Sequence, residues 1–421
     1  MSSFHPDVFD SIDHLFRHRA GRMVSILTRK FGVEHIEVIE DSVQDALITA
    51  MKRWPYSGLP ENQSAWLIQV AKNRVIDQLR RDSKSNSIDA IEIDPREERS
   101  DELRFKNELA EDQIRMIFGC CHPEVPADSR IALTLKVVGG FSVGEIARAY
   151  LAKDEAIAKM LTRAKQKLRT VKLEIPAGKD LADRLDSVLR ALYLMFNEGY
   201  SASSGADLIR SDLCFEAIRL VDLLLGHPQT SLPKVHALAA LLSFQGARLS
   251  ARTDSEGGLL LLVDQDRSLW NRELLAKGLE HFRTAAGGDD LTGYHVEAEI
   301  ASLHALALTY QETDWLRILK CYDLLLERKF SPVVALNRAV VLGQVRGATA
   351  ALNGLAELAG NYLMTSFNLF HIARGHFLAE LGRKVEAIDA YRRADELTRN
   401  EAVGRFIRRK IEVLTFPNES S

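Results

Sequence analysis

Residues 140–172 read GFSVGEIARAYLAKDEAIAKMLTRAKQKLRTVK. Ser142 suits a helix N-cap, and Glu145 stands three residues on, the capping-box spacing. Ile146 and Ala147 then face inward, and the small Ala147 lets a second helix approach. The stretch Leu151-Ala152-Lys153-Asp154 reads as a turn. From Glu155 to about Leu173 a second helix follows, with Ile157, Met160, Leu161, Ala164 and Leu168 on one face. A short capped helix, a tight turn and a longer amphipathic helix make a helix-turn-helix. The second helix is basic on its exposed side, carrying Lys159, Arg163, Lys165, Lys167, Arg169 and Lys172. Such side chains meet phosphates when a helix enters the major groove, while Lys153, Asp154, Glu155 and Lys159 near its start can reach base edges. The plainer reading of the same residues is a solvated helix whose cations suit its C-terminus.

Working outward, nearly every other segment also carries a helical period. Strand-like alternation is scarce, the best candidate being Leu259–Val263, so the fold class is all-α. The break Trp54–Pro60 stops one helix before another begins near Asn62. Upstream of it a helix presents Glu37, Glu40, Asp41, Gln44 and Asp45 on its polar face and Val43, Ala46 and Leu47 on the other. Downstream, residues 64–81 place Trp66, Leu67, Val70, Ala71, Val75 and Leu79 toward a core. Lys72, Asn73, Arg74, Asp77, Arg80 and Arg81 lie along the polar side. Each segment alone reads as an ordinary amphipathic helix. Between Asp89 and Asp112 there are ten acidic and four basic residues, and no apolar stripe runs through Ser83–Ser100, which reads as a flexible acidic linker.

Taken in order, these segments resemble an extracytoplasmic-function (ECF) sigma factor of bacterial RNA polymerase. The helix around Glu40-Asp41-Ser42-Val43-Gln44-Asp45 is similar to sigma region 2.2. The resemblance implies that Glu40, Asp41, Gln44 and Asp45 dock on the clamp helices of the polymerase β′ subunit. The stretch from Trp66 to Arg81, with Asn73, Asp77, Arg80 and Arg81 in the pattern Ala-x-Asn-x-x-x-Asp-x-x-Arg-Arg from Ala71, resembles regions 2.3 and 2.4. It implies that Trp66, Lys72, Asn73, Arg74, Asp77, Arg80 and Arg81 open and read the −10 element. Residues 142–169 resemble region 4.2, implying −35 contacts by Lys153, Glu155, Lys159 and Arg163, phosphate contacts by Lys165 and Lys167, and a second dock on the β flap. The partners implied are core RNA polymerase and promoter DNA. Duplex opening needs cationic, amide and aromatic side chains that hold a separated strand, and these residue types fit.

The division expected is a region 2-like domain over 1–82, an acidic linker over 83–104, a region 4-like domain over 105–172 and a helical extension over 173–421. Minimal family members end soon after the helix-turn-helix, so the extension needs its own account. Gly375, Ala387, Tyr391 and Ala394 have the spacing of the small and aromatic positions of a tetratricopeptide (TPR) repeat, and weaker units place TPR-like pairs over about 295–415. The alternative is an irregular bundle. Residues 191–200 and Asp264-Gln265-Asp266-Arg267-Ser268-Leu269-Trp270 resemble signatures of the ECF subgroup with a TPR-like extension, where the extension is thought to regulate activity and would take a protein partner. Asp264, Asp266 and Arg267 read by default as a brace.

Composition narrows the classes. Lys+Arg total 55 and Asp+Glu 58 over 421 residues, which excludes a uniformly basic nucleic-acid coat and a strongly acidic disordered chain. Four cysteines, no export signal and no run of about 18 apolar residues lead to the expectation of a cytoplasmic protein without membrane contact. Adjacent Cys120 and Cys121 are poor joint chelators, the histidines are scattered, and phosphate-loop and nucleophile-elbow motifs are missing. No metal, cofactor or catalytic residue is expected. Two other functions fit parts of the sequence: a duplex-binding activator with a TPR sensor region, and a TPR scaffold with an incidental helix-turn-helix.

Overall fold

Apolar residues spaced by three and four produce a chain of helices, and a computed structural model describes residues 20–83, 102–150, 152–202, 205, 208–288 and 290–416. Among these no strand forms, and β pairing is limited to the isolated bridges Gly205–Asn400 and Thr253–Leu259. The expected strand at Leu259–Val263 is therefore absent: Leu259 makes a single bridge, and Leu262–Asp264 closes into a 3-10 turn. The chain divides into two compact units, 1–192 and 193–421.

In the first unit α1 covers residues 20–31, followed by α2 (Ile36–Ser57) and α3 (Gln63–Ser83). α2 turns Ile36, Ile39, Val43, Ala46 and Ala50 inward against Leu67, Ala71 and Val75 of α3. α2 runs two residues past Pro55 and stops at Gly58, whose φ is 76°. A proline this near the C-terminus removes one hydrogen bond from the last turn, so the helix tolerates it. Asn62 caps α3, its Oδ1 accepting from the Ala65 N–H at 3.0 Å. Residues 84–101 of the expected linker lie outside the described residues, and Glu102 already opens α4 (Glu102–Cys120).

α5 (Arg130–Val137), α6 (Val143–Tyr150) and α7 (Asp154–Leu168) complete the helix-turn-helix. The capping box forms as expected: Glu145 N–H donates to Ser142 Oγ at 3.2 Å, and Ser142 N–H donates to Glu145 Oε2 at 2.7 Å. Gly140 makes the turn before it with φ 73°. α7 ends at Leu168, five residues earlier than its pattern suggested, because the chain bends to seat Leu173 on Gly119 of α4, where a Cβ would stand 2.3 Å from the leucine.

The second unit begins inside α8 (Gly178–Tyr200) and continues through α9 (Ser211–Leu225), α10 (Pro233–Gly246), α11 (Arg272–Ala285), α12 (Gly293–Leu306) and α13 (Trp315–Arg328). Then come α14 (Pro332–Arg346), α15 (Ala348–Leu358), the short α16 (Tyr362–Thr365), α17 (Asn368–Glu380), α18 (Lys384–Leu397) and α19 (Glu401–Thr415). Consecutive helices pair: α10 with α11, α14 with α15, α17 with α18. Gly375 admits the Tyr391 ring, and Ala387, Tyr391 and Ala394 are buried where α17 and α18 meet. Leu208 packs with Tyr391, Val403 and Ile407, so the last helices of this unit return to its beginning. Asn400 reinforces that closure, its Nδ2 donating to the Ala202 carbonyl at 3.2 Å.

Candidate nucleic-acid interface

The exposed stripe of α7 follows from its period. Glu155, Lys159, Arg163 and Lys167 recur every four residues and are all exposed, opposite the buried Ile157, Leu161, Ala164 and Leu168. Lys153 is exposed at the N-cap in extended backbone, at the mouth of the helix. These five residues share one accessible side of the helix-turn-helix.

Lys165 is different. It is 13% exposed and ion-paired with Glu40 of α2, itself 10% exposed. One turn on, Arg169 donates from Nη2 to Glu37 Oε2 at 2.6 Å. The flank of α7 thus lies on the acidic face of α2, and a residue expected to meet phosphate neutralises one expected to meet polymerase. The Glu37/Glu40 and Lys165/Arg169 pairs have complementary charge at matching helical spacing, but nothing in the linear order says that they meet. The same packing extends to α1. A Cβ on Gly21 would sit 1.8 Å from the Val138 carbonyl oxygen, beside α5. Asp112, 2% exposed, faces Arg29 at 3.4 Å and Arg115 at 3.6 Å. Sequence reasoning singled out neither Arg29 nor Asp112 as contacts, and it gave Arg169 to phosphate where the structure pairs it with Glu37.

On α2, Asp41, Gln44 and Asp45 are exposed. Asp45 is ion-paired with Arg74 of α3, whose Nη2 also donates to Thr49 Oγ1 at 3.0 Å. Arg74 therefore ties the two helices together. On α3, Asn73, Asp77, Arg80 and Arg81 form an exposed ridge, with Lys72 half-buried beside it. Asn73 Oδ1 accepts from Gln69 Nε2 at 3.1 Å, and Arg81 Nε donates to the Asp77 carbonyl at 3.2 Å. Trp66 is half-buried, its ring 5.5 Å from that of Trp54. Trp54 is half-buried as well.

Cys120 and Cys121 are free and buried; desolvation raises both thiols, Cys121 to about 11. No group of three or more His, Cys, Asp or Glu residues gathers to hold a metal among the described residues. No helix there is long and apolar enough to cross a membrane.

Comparison with known proteins agrees with this geometry. Residues 15–85 match Sigma-70 region 2, 115–168 match Sigma-70 region 4, and 184–286 match a family of unknown function, DUF6596. An uncharacterized protein of Rhizobium meliloti (strain 1021) is 39% identical over 386 residues, covering 90% of each chain. No solved structure matches. A region 2 fold followed by a region 4 helix-turn-helix, and then a helical extension, places this chain among the ECF-type sigma factors.

Proposed function

We propose that the chain binds core RNA polymerase, opens promoters at a −10 element through the α3 ridge and reads a −35 element through the α7 stripe. The carrying observation is the unbroken exposed run Glu155, Lys159, Arg163 and Lys167 on a capped helix-turn-helix that follows a region 2 domain. Asp41 and Gln44 supply the polymerase dock, with Glu40 joining them once Lys165 withdraws. Asn73, Asp77, Arg80 and Arg81 handle the opened strand, with Trp66 as the stacking edge. Lys72 supports the ridge, and Lys153 joins the α7 contacts. Arg74 and Asp45 act first as a brace. The closed pairing of α2 with α7 is a resting state, since the two reading surfaces must part to span a promoter. The extension is TPR-like in its helix pairing and regulates output, and the protein performs no chemistry of its own.

The test is transcription in vitro from genomic fragments with purified core polymerase and the full chain. New initiation at discrete sites is expected. The double substitution Lys159→Ala with Arg163→Ala should remove −35-dependent initiation while leaving polymerase binding intact. Binding to a single duplex site without polymerase, and silence with it, would instead establish a duplex-binding activator.

A further inference from the structure

The signature around Arg267 holds more cation than a brace needs. Arg248, Arg252 and Arg267 converge in the second unit beside Tyr200, Trp270 and His304, and among the described residues no carboxylate is ion-paired with any of the three. Arg252 is occupied: it stacks on the Tyr200 ring at 3.6 Å and donates to the Tyr200 carbonyl. Among the described residues Arg248 donates to the neutral Gln265 Oε1, at 3.3 and 3.1 Å, with its guanidinium 5.4 Å from the Trp270 ring centre. Arg267 lies 4.6 Å from that ring and uses Nη1 to bind the carbonyls of His304 and Ala307, at 2.8 and 2.6 Å, where α12 ends.

Three neighbouring polar atoms have no hydrogen-bond partner among the described residues: Arg267 Nη2, Trp270 Nε1 and His304 Nδ1. Trp270 is 4% exposed, and its indole nitrogen can only donate. A buried donor without an acceptor is destabilising by about 1–3 kcal/mol, and clustered guanidinium groups add mutual repulsion. The local field is felt by its neighbours. Burial, with Arg248 and Arg267, holds His304 down at about 3, and against burial Arg248 and Arg252 lower the Tyr200 phenol. Glu312 favours the charged Arg267 from a distance, against burial and Arg248, while its Oε2 accepts from Thr309 N–H at 3.2 Å.

We infer that Arg248, Arg267, Trp270 and His304 form a binding site for the oxyanion group of a small molecule, phosphate being the first candidate. An anion there would accept from Arg267 Nη2 and Trp270 Nε1 and balance the guanidinium charge. The donors sit on a nearly enclosed indole, which suits an ion-sized group and not a nucleic-acid backbone. Because Arg267 already ties the 3-10 turn Arg267–Leu269 to the end of α12, occupancy stiffens that junction. The residues of this site all belong to the second unit, and the inference does not depend on the assignment of the promoter-reading surfaces.

The experiment is calorimetric titration of the full chain in chloride buffer with inorganic phosphate, and separately with acetate, at constant ionic strength. Thermal unfolding is followed in parallel. Saturable binding of one equivalent with a raised melting temperature is expected. Saturation by acetate alone would support the site with a carboxylate ligand. Arg248→Gln, which loses the Gln265 hydrogen bonds and the guanidinium beside the Trp270 ring, and Trp270→Phe, which keeps a ring but no donor, should each weaken binding at least tenfold. Their folding is checked by circular dichroism. Failure of both ions to saturate the chain would overturn the inference, as would undiminished affinity in either folded variant.

Discussion

Gly375 shows how one residue decides a helix pair. A Cβ at this position would stand 3.1 Å from three atoms of the Tyr391 ring, and that ring is 2% exposed with nowhere to go. Gly375→Leu should therefore destabilise the second unit by about 1–3 kcal/mol, the usual range for overpacking, read as a lower denaturant midpoint. Gly375→Ala should fall toward the bottom of that range. The cysteines make a second prediction at this scale. Desolvation lifts Cys121 to about 11, Cys214 to about 12 and Cys321 to about 11, and Cys120 also rises. At pH 8 the thiolate fraction is then on the order of one in a thousand or less for Cys121, Cys214 and Cys321, and burial disfavours the Cys120 thiolate as well. The folded chain should release almost no chromophore from a disulfide reagent at that pH, and four equivalents once unfolded.

Between elements, the informative contact is α7 on α2. Glu40 and Lys165 are both nearly buried, so removing one partner strands the other charge, typically about 3–5 kcal/mol against the closed arrangement. Glu37 and Arg169 are about half exposed and contribute at most about 1 kcal/mol. Lys165→Glu should open α7 from α2, and combining it with Glu40→Lys should restore the closure. Crosslinking between the two helices reads this directly. Gly21→Ala is an uncharged route to the same end, because its methyl group meets the Val138 carbonyl oxygen. If the closed pairing is the resting state, Gly21→Ala raises initiation with core polymerase, and an unchanged rate in a folded, opened variant would remove that role.

Across the whole chain, acid should loosen the second unit first. His236, His281, His295, His304, His371 and His376 are all shifted down, in each case chiefly by burial. Their folded values lie below the unfolded value near 6.5. The stability they permit is full above that pH and is lost as pH falls toward the folded values. For His304 the window runs from about 6.5 down to about 3. His236 and His281 add to it, since their Nδ1 atoms lie 3.1 Å apart and two imidazolium rings would repel there. Thermal unfolding should show a falling transition temperature between about pH 6.5 and 4. His304→Gln should flatten part of that slope.

Much of this protein was legible in the linear order. The all-α class follows from apolar spacing, and the helix-turn-helix from Ser142, Glu145 and the small Ala147. The stripe Glu155, Lys159, Arg163 and Lys167 needs only the helical period, because residues four apart share a face. Spacing marked Gly375, Ala387, Tyr391 and Ala394 as small and aromatic positions of a helix pair, and the folded chain set Gly375 against Tyr391. Other features came only from the folded chain, because they depend on residues far apart in sequence. The burial of Glu40 against Lys165 across 125 positions turned two expected surface contacts into an internal pair. The return of Val403 and Ile407 to Leu208 closed a row of helix pairs that local pattern would leave open-ended. The gathering of Arg248, Arg252, Arg267 and Trp270 came from packing, and Arg267 braces the end of α12 there through the carbonyls of His304 and Ala307. Local periodicity is set by which residues share a helix face, whereas long-range charge pairing is set by which faces the packing brings together.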